Sequence, residues 1–179
     1  NLLPFLRAAR QCRGAFRRCL VVGDGPLREQ AALETEDCGQ ISLLGTLGNE
    51  ETRRLMRQCD LLVLPSLFDG WGAVVNEALQ SGMRVLCSTA CGAASLLDGR
   101  QRGGSFDPDR PESLRRALRE WLDKGRLSPA ERNAIAAWAE QTISGAAAAR
   151  YLVHIVHYTE GREENRPAAP WDPLKETAS

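Results

Sequence analysis

The chain has 179 residues, of which 43% are apolar and 26% charged, the make-up of a single soluble globular domain. Its 23 basic and 23 acidic side chains cancel, which argues against the strongly basic surface of a nucleic-acid-binding domain. No secretory signal and no apolar run of membrane length occurs, so the expected location is the cytoplasm or the inner face of the membrane.

The first residue, Asn1, leads straight into a helical pattern in which Leu2, Leu3, Leu6 and Ala9 share a face, as expected of a fragment whose first helix covers 2–12. Arg7, Arg10, Arg13, Arg17 and Arg18 make this region locally basic. A solvated helix face is the simple reading, and peripheral contact with anionic lipid the alternative. The apolar run Cys19-Leu20-Val21-Val22 then reads as a strand that ends in Gly23-Asp24-Gly25-Pro26. A helix over about 26–36 follows, with Pro26 in its first turn. Ile41 to Leu44 is a second strand closed by Gly45, and a helix near 49–58 leads to a third strand, Leu61–Leu64, closed by Pro65-Ser66. Residues 72–81 form a helix capped by Gly82. Val85-Leu86-Cys87 is a fourth strand, a short helix follows near 93–98, and Gly104-Ser105-Phe106 is a fifth strand.

Short, wholly apolar strands alternating with helices imply a parallel sheet covered on both faces, so the fold class is α/β, Rossmann-like and doubly wound. After residue 110 the pattern is helical, over about 111–124, 128–141 and 145–159, and forms a C-terminal helical segment. The domain is therefore expected to span 1–159. Residues 160–179 are polar, contain three prolines and form an extended or disordered tail in which Trp171 is the one anchor. On the last helix, Tyr151, Val153, Ile155 and Tyr158 read as core rather than as contacts to another domain. His154 and His157 read as surface or packing residues with no carboxylate placed to make a metal site.

Nearly all basic residues are Arg, Lys124 and Lys175 being the lysines; the skew suits phosphate and carboxylate recognition, but codon bias in a GC-rich genome explains it more cheaply. Cysteines 12, 19, 38, 59, 87 and 91 lack C-x-x-C spacing and are expected to be buried, reduced thiols.

In an open parallel sheet a ligand binds beyond the carboxyl ends of the strands. Those ends carry Gly23-Asp24-Gly25-Pro26, Gly45-Thr46-Leu47, Pro65-Ser66 through Gly72, and Ser88 through Gly92. The turn at Gly23-Asp24-Gly25 lacks the dinucleotide fingerprint, because Arg28 stands at the third glycine position; there is no Walker A lysine either. Gly70-Trp71-Gly72 running into a helix has the form of a phosphate site, with unpaired amides and a positive dipole end. Asp69 and Glu77 lie eight residues apart, and Glu77 interrupts an apolar helix. Either Glu77 pairs with an Arg or a helix-end amide as a brace, or it accepts hydrogen bonds from ligand hydroxyls.

Leu20 through Pro26, Ile41 through Gly45 and Cys59 through Ser66 together resemble family-4 retaining glycosyltransferases of GT-B fold. The similarity is densest over Leu67 to Gly82, which looks like the family's E-x7-E segment, and Cys91-Gly92 falls where the family has a Gly-Gly turn. It covers about residues 1–158 and implies the C-terminal, donor-binding half of a GT-B enzyme. By that resemblance Glu77 binds the donor's ribose hydroxyls and Asp69 lies beside the transferred sugar as the catalytic acid position. Gly70, Trp71 and Gly72 face the sugar and the diphosphate, and Gly45, Thr46 and Leu47 border the base; Gly23, Gly25 and Ser66 complete the donor site. The implied substrate is a nucleoside diphosphate sugar, handled without a metal or other cofactor, and the acceptor is a hydroxyl of a cell-envelope or exported glycan. The sequence departs from the family at Asp69, one methylene shorter than the usual Glu, and at Ser95, where a Glu often stands. The family's phosphate-binding Arg and Lys precede the first helix seen here, as does its first strand, so both are expected outside this chain, together with the N-terminal acceptor domain. By itself the fragment is then expected to be inactive. Two other readings are a non-catalytic GT-B-like sugar-nucleotide-binding or regulatory module and a GT-B sugar-nucleotide epimerase.

Overall fold

In the computed structural model, which describes residues 1–97 and 101–172, short apolar runs closed by glycine, proline or serine become parallel strands, and helices cover them on both sides. The strands are β1 (Cys19–Val22), β2 (Ile41–Gly45), β3 (Leu61–Leu64), β4 (Arg84–Ser88) and β5 (Gly103–Phe106). Between and after them run α1 (Leu2–Gln11), α2 (Arg28–Thr35), α3 (Asn49–Met56), α4 (Ala73–Gln80), α5 (Pro111–Asp123), α6 (Pro129–Ile143) and α7 (Gly145–Thr159). The architecture is the parallel α/β arrangement that the alternating pattern implies.

β4 shows why the fold is doubly wound. All five of its residues are buried. Val85 and Cys87 point into a core made by Val75, Ala78 and Leu79 of α4 and Ile135, Ala139 and Ile143 of α6. Leu86, between them, points to the other side, where Phe5, Leu6 and Ala9 of α1 meet Leu114, Leu118 and Trp121 of α5. The period of two in a strand thus distributes side chains between two helical layers. Each large side chain buried this way contributes about 1.5–3 kcal/mol.

The strands fall into two hydrogen-bonded groups. β1 pairs with β2, and β3, β4 and β5 pair in that order, every pair parallel. Val21 of β1 and Leu61 and Val63 of β3 nevertheless pack on one core, beneath α1 and α5. At the start of β1, Cys19 is close enough to Cys59, just before β3, for the two thiols to interact electrostatically. The two groups are therefore neighbours, with an unpaired edge on each.

α6 is fastened to the sheet at its start. Ser128 and Glu131 form a reciprocal capping box. The buried Arg84 guanidinium donates to Glu131 Oε1 at 2.7 Å and to the Gly125 carbonyl at 3.1 Å. Arg132 donates to the Cys59 carbonyl at 2.9 Å and to Asp60 Oδ1 at 3.2 Å. These bonds tie α6 to the entry of β3 and β4, the edge opposite the candidate site.

Several local expectations change. α2 begins at Arg28, and Pro26 lies in the turn before it, where Arg28 N donates to the Gly25 carbonyl at 3.0 Å. The short helix near 93–98 is a 3-10 turn over Gly92–Leu96; residue 98 lies outside the described residues. On α7, Val153 and Tyr158 are exposed and Tyr151 and Ile155 half-buried, so the core reading fails there: Ala147 is the one residue of α7 that is buried. Arg7 and Arg10 are not a free basic face. Arg7 pairs with Glu34 at 2.7 Å and Arg10 with Asp37 at 2.7 Å, joining α1 to α2.

Candidate functional site

The carboxyl ends of the strands carry two clusters. In the first, Gly23 N donates to the Gly45 carbonyl at 2.8 Å, which clamps the ends of β1 and β2 together. Asp24 Oδ1 accepts from the Gly25 amide at 2.8 Å, and Asp24 Oδ2 accepts from Arg28 Nη1 at 2.7 Å. Thr46 and Leu47 continue outward, Thr46 exposed and Leu47 half-buried. Arg28, which counted in the sequence only as a missing glycine, thus supplies a cation at this edge, one turn of chain after Gly25. Its position at the head of a helix that follows the turn is the signal that could have found it.

The second cluster is built around Trp71. Past Ser66, which is half-buried, the chain emerges as Leu67 and Phe68, both exposed, and returns at Asp69. Asp69 bridges Cys91 in parallel fashion: Asp69 N donates to the Ala90 carbonyl at 3.1 Å, and Gly92 N donates to the Asp69 carbonyl at 3.3 Å. The Trp71 amide donates to Asp69 Oδ1 at 3.2 Å, and its indole Nε1 donates to Asn76 Oδ1 at 3.1 Å. The Trp71 carbonyl accepts from Ala93 N at 2.7 Å and from Cys91 Sγ at 3.1 Å. Every polar group of Trp71 therefore has a partner, and the turn is held at both ends.

Gly72 follows in the left-handed region at φ 82°, and a Cβ there would stand 2.5 Å from Cys91 Sγ. Glycine is thus required both by conformation and by space. This kink delivers the chain into α4 without a side-chain cap, and leaves the first amides of the helix directed out of it.

Glu77, in the second turn of α4, is half-buried. Among the described residues its carboxylate makes no hydrogen bond or ion pair, so the brace reading of Glu77 is not realised. Ser95 Oγ, at the position where the resembling family often has Glu, is turned back to the Gly92 carbonyl at 3.0 Å.

The thiols serve packing. Cys12, Cys38, Cys87 and Cys91 are buried, Cys19 and Cys59 half-buried, and all are free. Burial pushes Cys87 up to about 12, with the neighbouring Cys91 and the charge of Asp69 adding to the effect. The Asp69 carboxylate itself is occupied by the Trp71 amide. The structure brings Asp69, Gly70, Trp71 and Gly72 together with Cys91 and Gly92, and Gly23 and Gly25 together with Gly45; among the described residues no hydrogen bond joins the two groups. A concavity of about 640 Å³ bounded by Gln11, Cys12, Arg115 and Arg119 lies at the opposite end of α1 and holds none of these residues.

The described part of the tail has no helix or strand and is anchored at Trp171. Residues 160–172 turn back along α7, and Trp171 packs against Trp71 with ring centroids 5.7 Å apart. Glu163 Oε1 lies 2.9 Å from His154 Nδ1 and 3.7 Å from His157 Nδ1, so both histidines do have a carboxylate beside them. Only the returning chain supplies it, which is why spacing along the helix could not reveal it.

Comparison with known proteins gives this arrangement a family. The chain is 32% identical over 109 residues to the sulfoquinovosyl transferase SQD2 of Arabidopsis thaliana, a match that covers 59% of this chain and 21% of that protein. The curated relatives it matches are much longer; the chain spans about a fifth to a third of their length. Among solved structures, a glycosyltransferase from Rickettsia africae superposes with a TM-score of 0.71 at 16% identity, over 87% of this chain and 43% of that one. Anabaena HepE, solved in complex with UDP and glucose, superposes with a TM-score of 0.66 at 19% identity, over 87% of this chain and 44% of that one. At those identities the likeness is one of fold, and the fold is that of GT-B glycosyltransferases. Residues 2–141, which include all five strands and the whole Asp69–Gly92 loop pair, match the model for glycosyl transferases group 1, and the chain belongs to that family.

Proposed function

We propose that this domain binds the nucleoside diphosphate sugar of a retaining glycosyltransferase, whose acceptor domain lies elsewhere in the intact protein. The carrying observation is Glu77: a half-buried carboxylate in the second turn of α4, with no partner among the described residues. A group in that state is stable only if solvent or a ligand supplies its hydrogen bonds. Paired ribose hydroxyls supply two. Asp69 then stands beside the sugar, the amides of Gly70 and Gly72 and the start of α4 face the diphosphate beside Trp71, whose own amide is held by Asp69, and Gly45, Thr46 and Leu47 border the base. Gly23, Gly25 and Ser66 line the remaining approach.

The chemistry is electrostatic. Negative charge develops on the departing diphosphate, and oriented amides together with basic side chains stabilise it without a metal. Arg28 is the cation this chain contributes at that edge. The acceptor is a hydroxyl of a cell-envelope or exported glycan, in keeping with a relative named for teichuronic acid biosynthesis. For location, among the described residues no helix is long and apolar enough to cross a membrane.

Calorimetric titration with UDP, GDP and ADP, in this chain and in a version extended upstream, tests the reading. One nucleotide binds, and Glu77→Ala weakens it by about 1–3 kcal/mol, the scale of hydrogen bonds lost to a charged group. The thermal midpoint of Glu77→Ala stays close to that of the parent, because the side chain has no protein partner. Absence of binding in the extended protein sinks the proposal.

One observation favours a second reading, a non-catalytic sugar-nucleotide-binding module. Asp69 Oδ1 is already engaged by the Trp71 amide, and the side chain is one methylene shorter than the usual Glu. Asp69→Glu in the full-length protein separates the two: turnover kept or raised places the residue at the sugar, and no turnover in either form supports the binding module.

A further inference from the structure

Residues 160–172 form a strap that runs antiparallel to α7 and ends on the candidate site. Three of its residues make contact in order. Glu163 meets His154 at 2.9 Å, Tyr151 Oη donates to the Pro167 carbonyl at 3.4 Å, and the Trp171 ring packs on Tyr151 at 6.3 Å and on Trp71 at 5.7 Å. Trp171 also packs against the core cluster that α4 and α6 build under the site. A polar segment with two prolines does not ordinarily order itself, so these anchors account for its course.

The contact at Trp71 matters because that residue organises the loop. Its amide holds Asp69, its carbonyl holds Ala93 and Cys91, and its indole holds Asn76. The Trp71 ring is otherwise open to solvent, being 37% exposed even with Trp171 upon it. Tilted aromatic pairs at this separation gain energy beyond the area they cover. A ring held on its open face cannot change rotamer freely, and with its indole bond to Asn76 kept, the backbone of the turn stays as it is.

We propose that Trp171 is a positioning residue for the Gly70-Trp71-Gly72 turn, so that the C-terminal strap sets the geometry of the donor site. Its consequence for donor binding rests on the donor-site reading above; the mechanical coupling does not. Loss of Trp171 frees the ring, loosens the Asp69–Trp71 and Trp71–Ala93 bonds, and disperses the amides that face the diphosphate.

Hydrogen exchange followed by mass spectrometry on the full chain tests this, with Trp171→Ala and Trp171→Phe compared with the parent. In Trp171→Ala the amides of residues 69–76 and of Ala93 exchange about three- to tenfold faster, as expected for losing one aromatic pair. Amides of α5, remote from the strap, keep their rates, and Trp171→Phe restores the parent pattern. The proposal is overturned if 69–76 keeps its rates in Trp171→Ala, or if α5 accelerates equally, since the effect would then be a general loss of stability. Titration of the same variants with UDP, GDP and ADP forms the second arm. The nucleotide that binds the parent is held several-fold more weakly by Trp171→Ala and normally by Trp171→Phe; equal affinity in all three overturns the functional coupling. If no nucleotide binds any form, the donor-site reading fails while the exchange result still decides whether the strap positions the turn.

Discussion

A Cβ placed on Gly92 would stand 2.4 Å from the carbonyl oxygen of Gly70 and 3.3 Å from Trp71 Cα. The neighbour is backbone, which cannot swing aside as a flexible side chain can. The two loops at the ends of β3 and β4 are therefore in backbone contact, and the bridge between Asp69 and Cys91 depends on that contact. Gly92→Ala must push the loops apart, at a cost of about 1–3 kcal/mol, the range for inserting a methyl group into a packed place. Urea unfolding measures it. Gly14→Ala, where a Cβ meets nothing within 4 Å, is the control and stays near the parent. Nucleotide affinity falls with the Gly92 variant if the loop pair forms the diphosphate site; an unchanged midpoint would mean the loops separate without loss.

Stability responds to pH at both ends of the range, for separate reasons. The Glu131 carboxyl lies below its ordinary value of 4.5, first because the Ser128 amide and hydroxyl donate to it and then because of the Arg84 charge. The unfolded chain holds that proton more tightly, so this contribution is present above 4.5 and is lost as pH falls through the lower folded value. Burial acts in the opposite direction on the thiols, raising Cys19 to about 11 and Cys87 to about 12 from 9.0. The unfolded thiols ionise first, so stability is full below 9 and declines as pH rises toward 11 and 12. Midpoints recorded across pH should show Glu131→Gln flattening the acid limb only, and Cys19→Ala the alkaline limb only. A thiol reagent at pH 8 should leave the folded chain largely unmodified and react once urea is added.

Much of this was legible in the sequence. β1 and β3 occupy the residues that their apolar runs mark, because Cys19–Val22 and Leu61–Leu64 are flanked by glycine, proline or polar residues that cannot extend a buried strand. The loop from Asp69 to Gly72 was legible for the same reason: glycines concentrate where backbone approaches backbone. Residues whose role depends on distant chain were not. Arg28 acquires its place from Asp24 and the end of β2, and Glu163 meets His154 only because the tail reverses. Tyr158 and Val153 read as core from their apolar character, but no described element covers that side of α7, and side chains follow the available cover rather than their type.

The separation of the strands into two groups leads to the last prediction. In a parallel ladder a strand uses alternate residues toward each neighbour, so β4, paired on both sides, has its amides engaged, while β1 and β3 each have one partner and one open edge. The side chains report the same difference: β4 is buried throughout, whereas Leu61 to Leu64 are all half-buried and Val22 is 42% exposed. Apolar parallel strands normally lie covered on both faces, and this partial exposure at two facing edges is what an unfilled strand position between them would give. α1 packs on the core shared by both groups, where a right-handed crossover would leave it if an extended apolar segment between β3 and β1 led into it. Hydrogen exchange on the chain as it stands should therefore find β4 slowest, with the outward amides of β1 and β3 faster. Adding the upstream residues of the intact protein should slow β1 and β3 specifically and raise the thermal midpoint, leaving β4 nearly unchanged. If β1 and β3 are already as protected as β4, the two groups are joined edge to edge and no strand belongs between them.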